Sequence, residues 1–272
     1  MADEKQFTKR DYWDTAVSQT VEGKITVRGY RLDDLMRNLT FTEAVYLVIK
    51  GRLPDDNETK MLNAILIAPI DHQFISPPLV VARYVASGSA DIIKALTGGL
   101  SSGGKHVMSP QDSATILKEA YALVESQSLS IEEAASQIIK QYREQKRGIP
   151  GLGHPIHPKG DPRAAALKDI AIVCGFDKRI PMMEAIQNAF NEQTGKQLPI
   201  NVDGMMAAIL QEMGFVPDEV LFLNILGILP GMAAQSIEEM ERGHVARMLP
   251  APLSSYSGEP ERDLPPDKVR FK

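Results

Sequence analysis

The sequence predicts a mainly α fold, and three observations predict it. Helix starts and stops recur along the chain, one short stretch alternates as a strand does, and no internal repeat or low-complexity linker divides the 272 residues. The alternating stretch comes first: GKITVRGY sets Ile25 and Val27 against polar neighbours, which predicts one short β-hairpin near the N-terminus. Thr40 and Glu43, three apart, then form a capping box ahead of AVYLVIK, and Gly51 and Pro54 stop that helix. Ser109 followed by Pro110 is an N-cap with proline at the first helical position, so a helix is expected over 109–125. Ser130 and Glu133 repeat the capping box, with Ile131, Ala134, Ile138 and Tyr142 at helical spacing until Gly148 and Pro150. Residues 164–174 and 182–191 read as two more helices, and Pro217-Asp218 opens another at Val220.

Composition narrows the function classes. A length of 272 residues suffices for one large domain, or a large domain with a smaller lobe. A net charge of -5 without any Lys/Arg block argues against nucleic acid or a membrane surface as the main partner. Cys174 is the single cysteine, which excludes an intrachain disulfide and a thiolate zinc cluster and fits a reducing cytoplasm. The charged start MADEKQFTKR lacks the apolar core of a signal peptide. The longest apolar run, 220–234, is broken by Asn224, Gly227, Pro230 and Gly231 and falls short of the roughly 20 residues that cross a bilayer. A cytoplasmic protein is expected. The polar, proline-rich tail beyond Ser254 cannot make a core of its own, so it is either disordered or wraps a partner subunit.

Three segments rich in glycine, proline and small residues carry the candidate chemistry: GGLSSGGKHVMS with His106, GLGHPIHPKGDPRA with His154, and KQLPINVDGMMAA with Asp203. Two imidazoles and a carboxylate delivered from three bends can polarise a carbonyl from one side and take a proton from the other. That set suits the making or breaking of a carbon–carbon bond. Each residue also has a plainer role. His154 would be a structural corner in its glycine-proline turn, Asp203 a helix cap, and His106 an ordinary residue ahead of a helix. His157, three residues after His154, gives an H-x-x-H spacing with no carboxylate pair or cysteine nearby, a weak metal signal, and no metal is expected.

In GxGHPxHPKGDPRA and LPINVDG the chain resembles the citrate synthase superfamily, and among its branches the short citryl-CoA lyases related to the lyase module of ATP-citrate lyase. The resemblance runs from GKITVRGY to ILPGMAAQSIEEMERG. It implies a citrate-synthase-like helical unit with large-domain helices about 15–150 and 210–250, a small lobe about 151–209, a tail over 254–272, and a homodimer with helices packed across a two-fold axis. It implies a coenzyme A thioester as substrate and a 2-keto acid such as oxaloacetate as partner. His154 would bond the keto or alkoxide oxygen, His106 the enolate oxygen, and Asp203 would move the α-proton. Arg163 would bind a substrate carboxylate, unless it only pairs with Asp161 at a helix start. Lys159 and Lys196 would hold coenzyme A phosphates, or stand as solvated surface lysines.

The chain departs from the pattern twice. Lys105, Val107 and Met108 replace small residues beside His106, which is expected to bring bulk into the acyl site. LPAPLSSYSGE replaces an arginine-bearing string near the C-terminus, leaving Arg242 and Arg247 as the nearby candidates for a substrate carboxylate. The expected activity is a carbon–carbon lyase acting on a citryl-CoA-like thioester. The alternatives are a citrate or methylcitrate synthase and a non-catalytic acyl-CoA-binding member.

Overall fold

A computed structural model describes residues 13–104 and 107–270. It is mainly α, with eleven α-helices among the described residues and one small antiparallel sheet near the N-terminus. The sheet has three strands where one hairpin was expected: β1 (Ser18–Val21), β2 (Lys24–Val27) and β3 (Tyr30–Arg31), in that order. Ile25 faces Thr20 and Val27 faces both Ser18 and Tyr30. The polar SQTV strand carries little apolar alternation of its own, so only the pairing reveals it. Arg28 turns through φ +49° and sends Nε and Nη2 to the Val48 carbonyl, which ties the sheet to the helix behind it.

That helix is α2 (Phe41–Lys50), which follows α1 (Leu32–Asn38) and starts with the Thr40–Glu43 capping box and stops at left-handed Gly51. Next come α3 (Asp56–Ile67), capped by Asp55, and the antiparallel pair α4 (Pro77–Ser89) and α5 (Ile92–Ser101). Pro110 opens α6 (Pro110–Gln127), and the Ser130–Glu133 capping box opens α7 (Ile131–Glu144). α7 stops before the expected Gly148. Lys146 takes φ +55°, and the Arg147 guanidinium lies 3.8 Å over the Tyr142 ring and bonds its hydroxyl, turning the chain out of the helix early. Then follow α8 (Pro162–Cys174), α9 (Ile180–Thr194), α10 (Val202–Glu212) and α11 (Pro217–Arg242).

α10 is the innermost helix: its residues from Gly204 to Leu210 are all buried, packed among α6, α8 and α9. The main core joins Tyr46, Leu62, Ile116, Ile139, Leu167, Met206 and Leu223 without a break, so it runs across the lobe boundary expected at residue 151. A second, smaller cluster of Leu79, Ala82, Ile228 and Met232 joins α4 to the far half of α11.

α11 runs unbroken for 26 residues from the expected start at Pro217, through Gly227, Pro230 and Gly231. By length and composition it could cross a membrane, but it packs against α3, α4, α5 and α6, with Val220, Leu223, Ile228 and Met232 buried. Gly231 lies so close to the Ile70 carbonyl that a Cβ would collide with that backbone oxygen. Only glycine lets the helix press onto the turn after α3, and that turn carries a residue of the site. Beyond Arg242 the chain is exposed at nearly every described position, with single 3-10 turns at Ala251–Leu253 and Pro266–Lys268.

Candidate active site

The His154 loop and the Asp203 helix are joined backbone to backbone. Gly153 N–H donates to the Pro199 carbonyl at 2.7 Å and Asn201 N–H to the Gly151 carbonyl at 3.0 Å. The Asn201 side-chain amide donates to the Gly153 carbonyl at 2.9 Å. Gly151 adopts φ +83°, and a Cβ on it would stand 2.8 Å from the Gly204 Cα. A Cβ on Gly204 would meet the Gly151 backbone in turn. Two glycines are therefore required at one crossing, each for the other, and this fixes where His154 stands relative to Asp203.

Asp203 does not cap α10. Asn201 does, accepting from Gly204 N–H at 3.1 Å. The Asp203 carboxylate lies in the first helical turn and accepts no hydrogen bond among the described residues. Its pKa is pushed up from 3.8 to about 6, chiefly by burial, with the Arg163 charge opposing and the Asp161 charge adding to the rise. A carboxylate with that affinity for protons can take or return one near neutral pH.

Arg163 and Asp161 join both pieces. Asp161 caps α8 through Arg163 N–H, takes Arg163 Nε at 3.0 Å and Nη2 at 2.8 Å, and accepts Val202 N–H at 3.1 Å from the start of α10. The salt bridge weighed as the plainer role for Arg163 thus exists, with an Asp161 side chain wholly buried. Arg163 Nη2 also lies 3.3 Å from His154 Nε2, so the guanidinium reaches the imidazole as well.

The structure adds a residue that the sequence did not single out. His72, in the turn after α3, places its Nε2 at 3.0 Å from His154 Nε2. It stands 82 residues away from His154 in a stretch without the glycine-rich signature of the other segments, so spacing gave no sign of it. Asp71 holds the turn: its carboxylate accepts Gln73 N–H and, at 2.9 Å, the Gln235 amide of α11. His157 completes the group, its ring 4.5 Å from that of His154. The three half-buried imidazoles bring ring nitrogens within 4.8 Å of one another, so the weak H-x-x-H signal gains a third member.

The tautomer of His154 follows from its neighbours. Ile156 N–H donates to its Nδ1 at 3.2 Å, so in the neutral ring the proton sits on Nε2. Burial lowers the pKa of both His72 and His154, with the Arg163 cation acting in the same direction, so both are neutral near pH 7. His154 Nε2–H then donates to His72 Nε2.

Among the described residues, no hydrogen bond or ion pair joins Lys159, Lys196, Arg242 or Arg247 to this group. His106 falls outside the described residues. Next to it Gly104 and Val107 exchange two backbone hydrogen bonds, and Met108, at φ +57°, packs against the Leu79–Met232 cluster. The Met108 bulk thus goes to the core and not, as expected, to the acyl site. Lys159 and Lys196 are exposed and make no ion pair among the described residues. Arg242 is exposed at the end of α11, likewise without an ion pair among them. Arg247 is committed to the buried Glu239, which it shares with Arg83. A cavity of about 720 Å³ opens between Ser109 and Pro150, lined by Tyr142, Lys146 and Arg147, and it adjoins both the His106 segment and the His154 loop.

Residues 54–249 match the family described as citrate synthase, C-terminal domain. The structure is similar to that of citryl-CoA lyase from Hydrogenobacter thermophilus, with a TM-score of 0.82 and 35% identity over 94% of this chain and 98% of that one. ATP citrate lyase from Methanothrix soehngenii, in complex with citrate and coenzyme A, shares the fold at a TM-score of 0.77 and 17% identity, covering 98% of this chain and 44% of that one. Citrate synthase 2 of Bacillus subtilis is 26% identical over 82% of this chain, which spans 55% of the length of that relative.

Proposed function

We propose that this chain, which belongs to the citrate synthase family, cleaves a citryl-CoA-like 3-hydroxyacyl-CoA into an acyl-CoA and a 2-keto acid such as oxaloacetate. The observation that carries this reading is the pairing of a donor and an acceptor nitrogen 3.0 Å apart, beside a guanidinium and a half-buried carboxylate of raised proton affinity. The likeness to citryl-CoA lyase supports cleavage as the direction.

A tertiary hydroxyl is both a donor and an acceptor, so it can replace the hydrogen bond between the two ring nitrogens once the rings move apart to admit it. Its oxygen accepts from His154 Nε2–H while its proton passes to His72 Nε2. As the carbon–carbon bond breaks, its electron pair goes to the acyl α-carbon, leaving an enolate on the thioester and a carbonyl on the keto acid. His106 would hold the enolate oxygen, and protonated Asp203 returns a proton to the α-carbon. Arg163, already oriented by Asp161, faces a carboxylate of the keto acid. The neutral state of both imidazoles keeps one lone pair free to accept, which a doubly protonated pair would not.

Coenzyme A would lie along the 720 Å³ cavity, where Lys146 and Arg147 supply positive charge. Lys159 and Lys196 would meet its phosphates from solvent. A homodimer would cover apolar side chains left exposed on α4 and α11 and beyond them, such as Tyr84, Ile237 and Met248.

The test is direct. Citryl-CoA is supplied and oxaloacetate formation is followed by a coupled dehydrogenase; cleavage lost in Asp203→Asn supports the proposal. The second reading, a citrate synthase, is favoured by the likeness to the Bacillus subtilis protein. It predicts free coenzyme A from acetyl-CoA and oxaloacetate. Thioester binding with neither reaction and no α-proton exchange would refute both.

A further inference from the structure

We infer that His72, His154 and His157 form a binding site for a single divalent transition ion of the zinc type, which closes the site to the keto acid. In a tetrahedral zinc site with bonds of about 2.0–2.1 Å, ligand nitrogens stand about 3.3 Å apart. His72 Nε2 and His154 Nε2 are 3.0 Å apart, and the His157 ring brings a third nitrogen within 4.8 Å of both. Three imidazoles and no carboxylate in the group select Zn²⁺, Ni²⁺ or Cu²⁺ over Mg²⁺ or Ca²⁺. All three rings are half-buried, which leaves an entry path and a fourth position for water.

Two features set the strength. The Arg163 guanidinium lies 3.3 Å from His154 Nε2 and opposes a second cation there, while Asp161, bonded to it through both oxygens, offsets much of that charge. Coordination through Nε2 also moves the His154 proton to Nδ1 and releases Ile156 N–H, an exposed donor at 3.2 Å that water can satisfy. Binding on the order of micromolar is therefore expected, weaker than that of a structural zinc site. The bound ion removes the N–H that the keto oxygen needs. Metal and substrate then exclude each other; this inhibitory consequence rests on the proposed function, but the binding does not.

The experiment uses the full chain stripped with chelator. Co²⁺ is added as a spectroscopic probe, followed by displacement with Zn²⁺, in wild type, His157→Ala, His157→Gln and His72→Ala, with His244→Ala as control. One Co²⁺ per chain with strong tetrahedral absorption, at least tenfold weaker binding in the His157 and His72 variants, and no change in His244→Ala are expected. Zn²⁺ should inhibit citryl-CoA cleavage by wild type at least tenfold more strongly than by His157→Ala. Equal Zn²⁺ affinity in wild type and both His157 variants, or a weak octahedral cobalt spectrum, would overturn the site. Cleavage by the metal-free protein is read separately, so loss of either result leaves the other standing.

Discussion

Replacing Asp203 by asparagine removes a charge and a base while keeping the shape of the side chain. The carboxylate is raised from 3.8 to about 6, roughly 2 units, mainly because burial disfavours its ionised form. At about 1.4 kcal/mol per unit, the ionised group costs the folded state on the order of 3 kcal/mol. The sign follows from the raised folded pKa: the penalty is fully present above pH 6, shrinks as pH falls below it, and is gone below the unfolded value near 3.8. Asp203→Asn is therefore expected to raise the melting temperature at pH 8 by on the order of 5 °C and to leave it unchanged near pH 3.5. The same variant should lose deuterium exchange into the α-carbon of acetyl-CoA by about 10²–10⁴-fold, the usual worth of a positioned acid or base. Calorimetry at the two pH values and exchange followed by mass spectrometry check the pair. A variant that exchanges within tenfold of wild type, or is destabilised at pH 8, would refute the assignment of Asp203 as a desolvated proton carrier.

The same carboxylate sets a pH profile. Exchange in the wild type requires ionised Asp203, so its rate should be half-maximal near pH 6 and fall about tenfold per unit below that, measured across pH 4.5–8. His72→Ala should slow citryl-CoA cleavage by about 10²–10⁴-fold while leaving α-proton exchange within a few-fold, because His72 faces the keto half alone; equal loss of both would make it a packing residue. Gly204→Ala drives a Cβ into the Gly151 backbone, and it is expected to destabilise by about 1–3 kcal/mol and to cut kcat about 100-fold by moving His154 relative to Asp203. Denaturation and steady-state kinetics measure both.

Local rules carried much of the fold. The capping boxes at Thr40 and Ser130 appear as expected, because each needs only residues three apart. Where a tertiary contact overrode the local signal, the expectation failed. α7 stops early because Arg147 stacks back on Tyr142.

The site divides the same way. The sequence by itself determined the glycine-rich loops, the resemblance that points to a family, and His154, Arg163 and Asp203 as candidates for its chemistry. Those are properties of short segments, and segments are legible one at a time. Only the tertiary structure decided that Gly151 and Gly204 are needed by each other, that Asn201 and not Asp203 caps α10, and that Arg247 belongs to Glu239. It alone brought His72 and His157 against His154, because meeting across 82 residues is set by how α3 docks on α11 and not by any local pattern.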